Sequence, residues 1–146
     1  TVGGVTKQMV GLSNATNESK ATMFTDPTFT GTIAGTFGGT VQHAFNITAS
    51  GSSDYVFAAD SKFFTANAND PVLYLRRGET YKFIVNASGH PFQIRVSNGG
   101  SAYNTGVTNN GQSNATITFI VPMTAPATLY YQCTAHSGMG AVINIV

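Results

Sequence analysis

Near the C-terminus, two apolar stretches, Leu129-Tyr130-Tyr131 and Ala141-Val142-Ile143, flank the segment Cys133-Thr134-Ala135-His136-Ser137-Gly138-Met139-Gly140. The pattern is C-x-x-H-x-x-M, three metal-donor side chains within one short loop. Such a loop is held closed when a strand runs into it and another runs out. A further imidazole then has to come from a different strand end, so the fold itself becomes the scaffold of the site. The segment Asn86-Ala87-Ser88-Gly89-His90-Pro91-Phe92 offers that imidazole, with His90 at the start of an expected strand.

The donor types point to copper. A metal that cycles between Cu(I) and Cu(II) needs ligands suited to both states: thiolate and thioether are soft and suit Cu(I), and imidazole suits either. Two His and one Cys with a weak Met form a blue-copper set. Zinc favours additional thiolates or imidazoles and has little use for Met. Each residue also has a plainer role when taken alone. Cys133 fits a buried thiol, His90 and His136 fit surface loops, and Met139 fits the core. A site that keeps the fold but has lost its metal is the main competing reading of the set.

The rest of the chain reads as all-β. Only 9% of the 146 residues are charged and 42% are hydrophobic. Thr, Ser, Asn and Gly dominate the remainder, a mixture that suits pleated strands and tight turns. Strands are expected at 55–58, 72–75, 81–85, 92–96, 116–121, 129–133 and 141–146, with a long polar loop at 97–111. Phe92, Ile94 and Val96 alternate with Gln93 and Arg95, the period of a strand with one buried face. Several short strands separated by turns predict an antiparallel sandwich. Residues 49–54 (ASGSSD) read as a linker. His43 stands outside the donor set and is expected to have an ordinary polar or packing role.

A net charge of +1 gives no steering toward nucleic acid or an anionic membrane. The adjacent pair Arg76-Arg77 reads as a solvated strand end. No apolar run is long enough to cross a bilayer, so no membrane insertion is expected. One cysteine precludes an internal disulfide. N-x-S/T triplets at Asn14, Asn17, Asn46, Asn86 and Asn114 are what a chain rich in Asn and Thr produces by chance. The chain opens on Thr1, a start expected of a fragment or a processed product. No Ser-His-Asp grouping, carboxylate pair or phosphate-cradling loop stands out, so the chain is expected not to be an enzyme.

Over residues 54–146 the chain resembles a cupredoxin. The resemblance rests on Pro71-Val72-Leu73-Tyr74-Leu75-Arg76-Arg77-Gly78-Glu79-Thr80-Tyr81-Lys82-Phe83, on Gly89-His90, and on the Cys133/His136/Met139 loop. It implies a cupredoxin-like Greek-key β-sandwich that holds copper at one end. It also implies His90, Cys133 and His136 as strong ligands and Met139 as the weak axial one. The chain departs from the family pattern at Pro91, where many members have an Asn whose backbone N–H reaches the Cys sulfur. Proline has no N–H to give, which puts the redox potential in doubt.

Residues 10–32 resemble connector segments of bacteriophage tail fibres, which often form trimers. A short helix is expected at 17–24, ended by Asp26-Pro27. The expected organisation is therefore an extended, oligomerising arm at 1–50 and a cupredoxin-like domain at 51–146. The leading expectation is a virion or surface-appendage protein, tail-fibre-like and trimeric, whose copper-binding tip contacts a host-surface receptor. It would sit on the virion or outside the cell. The alternative is a soluble type 1 copper electron-transfer protein.

Overall fold

A computed structural model describes residues 41–146; the helix expected at 17–24 and the tail-fibre-like stretch at 10–32 lie outside the described residues. Strand formation follows the alternation of apolar and polar residues. Along β5 (Thr80–Asn86), Tyr81, Phe83 and Val85 point inward while Ile84 and Asn86 face out. The other strands are β1 (Val41–Ser50), β2 (Asp54–Phe57), β3 (Ala68–Asn69), β4 (Leu73–Leu75), β6 (Phe92–Arg95), β7 (Val107–Thr108), β8 (Asn114–Ile120), β9 (Thr128–Cys133) and β10 (Gly140–Ile145).

One sheet has the order β3-β2-β1-β5-β8-β7 and the other β4-β10-β9-β6. The chain passes between sheets at β3–β4, β4–β5, β5–β6, β6–β7 and β8–β9. The result is a β-sandwich of two sheets, the all-β class expected. It is mixed rather than purely antiparallel, because β1 runs parallel to β5 and β4 parallel to β10. Local alternation sets which face of a strand is buried, but strand direction depends on long crossovers that leave no local mark. Among the described residues no helix is long and apolar enough to cross a membrane.

The inner faces meet in an aromatic core. Phe45, Phe57, Tyr55 and Phe83 of the larger sheet face Phe92, Tyr131, Leu75 and Ile143 of the smaller one. Phe92 is the hub, with its ring 5.2 Å from Phe83, 5.1 Å from Tyr131 and 5.0 Å from Tyr55. Each such side chain contributes about 1.5–3 kcal/mol relative to exposure.

Three expectations need correction. An arm reaching to residue 50 does not hold for residues 41–50, which form β1 between β2 and β5. Phe45 and Ile47 are both buried, and their period-two spacing is the local signal of this strand. Residues 49–54 are no linker: 49–50 end β1, Asp54 starts β2, and 51–53 make the tight hairpin turn between them, with Gly51 at φ +57° and Ser50 paired to Asp54. Arg77 is not a solvated strand end. It is half-buried, and its guanidinium donates to the carbonyls of Ile145 (3.1 Å) and Ala125 (3.0 Å).

The loop at 97–111 is tied to the body. Asn110 accepts from the Ile94 N–H at 2.7 Å and donates to the carbonyls of Ile94 and Tyr103, each at 3.0 Å. Because β6 is an edge strand, this loop covers backbone groups that would otherwise offer a template for pairing. Val96, expected to be inward, is 46% exposed because β6 ends at Arg95.

Candidate metal centre

Strand register brings the donors together. β6 and β9 are antiparallel with Phe92 opposite Cys133, so the residue two before Phe92 lands beside the loop that follows Cys133. That residue is His90. The turn before it closes through the His90 N–H and the Ala87 carbonyl at 2.8 Å, with Gly89 at φ +80°. Glycine takes that left-handed conformation without steric cost. One step beyond the strands, the Thr134 N–H donates to the Pro91 carbonyl at 3.1 Å.

The ligand loop is closed by its own backbone. The Cys133 N–H donates to the Met139 carbonyl at 2.9 Å, and the Met139 N–H donates to the His136 carbonyl at 3.1 Å. Gly140 then re-enters the sheet at φ +134°, where a Cβ would lie 2.1 Å from the Tyr131 carbonyl oxygen. Only glycine fits there.

The imidazoles of His90 and His136 and the thiol of Cys133 converge, with ligand atoms all within 4.8 Å of one another. The two Nδ1 atoms are 3.1 Å apart, and Cys133 Sγ is 3.6 Å from His136 Nδ1. Two ligands each about 2.0–2.3 Å from one ion are about 3–4 Å apart, so the spacing fits a shared metal. Facing Nδ1 atoms at this distance also need a cation or a proton between their lone pairs. Cys133 is buried and the two imidazoles are half-buried. His90, Cys133 and His136 are thus placed to form a metal site. Met139 sits in the same loop and is fully buried, held by the backbone bonds described above.

Around the ligands lies a polar frame that the motif did not reveal. Buried Gln132 accepts from the Gly99 N–H at 2.8 Å, and its amide donates to Asn98 Oδ1 at 2.7 Å and to the Ser137 carbonyl. It thereby clips the long loop to the ligand loop. Asp70, at φ +40°, accepts from the Tyr55 N–H (2.9 Å) and from the Gly140 N–H (2.8 Å), next to Met139. Burial pushes the Asp70 carboxyl above its usual range, against the lowering effect of these two donors. The Tyr55 hydroxyl donates to the His90 carbonyl at 3.0 Å. For Asp70 the pairing with Pro71 is a turn signal that could have pointed to it; for Gln132 and Tyr55 no sequence signal distinguishes a support role from ordinary strand content.

His43 lies elsewhere. Its ring packs 4.5 Å from Phe45 and 4.4 Å from Phe63, and its Nε2 is 3.1 Å from Asp60 Oδ2. This is the ordinary packing and polar role expected of it.

No family model matches the chain, and no curated protein matches it. Among solved structures it is similar to a pseudoazurin from Sinorhizobium, with TM-score 0.42 and 19% identity over 71% of this chain and 74% of that one. It is similar to auracyanin B, with TM-score 0.41 and 18% identity over 73% of this chain and 91% of that one. It is also similar to the McoA multicopper oxidase of Aquifex aeolicus, with TM-score 0.41 and 17% identity over 73% of this chain but 27% of that one.

Proposed function

We propose that residues 41–146 form a copper-binding domain that passes single electrons. The observation that carries this reading is the convergence of two imidazoles and one buried thiol within 4.8 Å at one end of the sandwich. His90 and His136 would bind as neutral imidazoles, Cys133 as a thiolate, and Met139 as a weak thioether donor. Bound copper supplies a one-electron couple. The protein holds the donors in place: His90 through the turn to Ala87, and the ligand loop through the Cys133–Met139 and Met139–His136 bonds. Donors fixed by packing and backbone bonds have little freedom to rearrange.

The test is the visible spectrum after adding Cu(II), beside Cys133→Ser. An intense thiolate-to-copper band in the parent alone, with reversible one-electron voltammetry, supports the carrier. A parent without the band overturns it.

The virion-appendage reading, with its trimer and host-surface receptor, rests on residues 10–32, outside the described residues. It therefore stands second. A mass measurement on the full chain separates the two: a monomer favours the carrier and a stable trimer favours the appendage.

A further inference from the structure

The chain has two Asn-Gly steps, Asn98-Gly99 and Asn110-Gly111, and both lie in the 97–111 loop. Glycine has no Cβ to hinder its own backbone nitrogen, so such a step is open to attack by that nitrogen on the asparagine side chain. The glycine N–H loses its proton to water, a bond forms from its nitrogen to the asparagine Cγ, and the Cγ–Nδ2 bond breaks to release ammonia. The cyclic imide then takes up one water and opens to aspartate or isoaspartate. Both steps carry the same chemistry, so their surroundings decide which one reacts.

Asn110 is held on every side. It is half-buried. Its Oδ1 accepts from the Ile94 N–H at 2.7 Å, and its Nδ2 donates to the carbonyls of Ile94 and Tyr103, each at 3.0 Å, and to Asn104 Oδ1 at 2.9 Å. The attacking nitrogen is tied as well: the Gly111 N–H donates to the Phe92 carbonyl at 2.9 Å. A carboxylate at 110 would face three oxygens in place of three acceptors for its N–H groups, an unpaired arrangement that costs stability.

Asn98 is exposed at the tip of a turn that closes through the Gly100 N–H and the Ser97 carbonyl at 3.0 Å, with Gly99 at φ +69°. Its Oδ1 accepts from Gln132 Nε2 at 2.7 Å, while its Nδ2, the group that leaves, has no hydrogen-bond partner among the described residues. A donor on Oδ1 stabilises the negative charge that develops there during attack. Gln132 Oε1 accepts from the Gly99 N–H at 2.8 Å, so one side-chain amide touches both reacting groups.

We propose that Asn98 is a site of spontaneous deamidation and that the fold protects Asn110. The aspartate product keeps the oxygen that Gln132 Nε2 needs and adds one negative charge beside the clip to the ligand loop. The isoaspartate product inserts a methylene into the main chain of the turn and draws the Gly99 N–H away from Gln132. None of this depends on a bound metal.

The test is peptide mapping by mass spectrometry of the full chain, incubated in mildly alkaline buffer with and without urea. In the folded chain Asn98 should convert about tenfold faster or more than Asn110, because Asn110 reacts only through rare local opening. In urea the two rates should converge. Asn98→Asp and Asn110→Asp make the exchange directly. The first should unfold at the parent's urea midpoint, and the second well below it or not fold at all.

Equal rates at the two positions in the folded chain would overturn the proposal, and so would an Asn98→Asp variant as destabilised as Asn110→Asp. A parent without a thiolate-to-copper band overturns the copper reading and leaves this one standing.

Discussion

The molecule has two histidine environments, and their neighbours decide their chemistry. His90 and His136 face each other across 3.1 Å with a thiol in reach. His43 lies between two phenylalanine rings and meets a carboxylate. Both places combine imidazole with a potential ligand, and both are partly shielded from solvent. At the first, three donors from two chain segments converge on one point. At the second, a single carboxylate meets one ring nitrogen, and two phenyl rings pack on the imidazole. A histidine beside an acid is a packed polar pair; two histidines that face each other with a thiol in reach are placed to form a metal site.

The sharpest way to break this comparison is to remove ligands on one side and packing on the other. Cys133→Ser should abolish the thiolate-to-copper band, and His136→Ala should weaken copper binding by orders of magnitude in a titration. His43→Ala should leave both band and affinity as in the parent. A His43 variant that loses copper would show that the two environments are not independent.

Next in size is the loop closure. Gly140→Ala forces a Cβ against the Tyr131 carbonyl at 2.1 Å. We expect a loss of about 2 kcal/mol or more in urea unfolding, since strained and overpacked positions cost in this range. Gly89→Ala meets no atom within 4 Å and strains only its backbone at φ +80°, so its cost should be smaller, about 1 kcal/mol.

The smallest effect belongs to the His43 side. Asp60→Asn should cost roughly 0.2–1 kcal/mol, the range of exposed ion pairs. Burial acts to raise the Asp60 carboxyl, but backbone donors at Phe63 and Lys62, with His43, hold it below its usual value. A carboxyl depressed in the folded state stabilises above its unfolded pKa, and that contribution is lost as pH falls through the folded one. Unfolding followed below about pH 4 should therefore show a shallower acid loss in Asp60→Asn than in the parent.

The grouping of His90, Cys133 and His136 and most strands were legible in the sequence. Cys133, His136 and Met139 share one loop, so their proximity is local, and apolar alternation marked β5, β6 and β8. The clustering of His90 with Cys133 was inferred from pattern, and the physical cause is the β6–β9 register that sets Phe92 opposite Cys133. β1 was not legible because its alternation is short, with Phe45 and Ile47 the two fully buried positions that mark its inner face. The tie of the 97–111 loop to β6 was missed because Asn110 makes its bonds to residues sixteen and seven positions earlier in the chain.

What the sequence determined on its own is therefore chemical and local: which donors exist, which faces alternate, where turns fall. Short-range geometry carries those signals. The tertiary structure decided which way β1 and β4 run, that Arg77 caps carbonyls inside the body, and that Asp70, Gln132 and Tyr55 brace the site. Each of these depends on two segments far apart in the chain meeting at one distance, and no local pattern encodes that meeting.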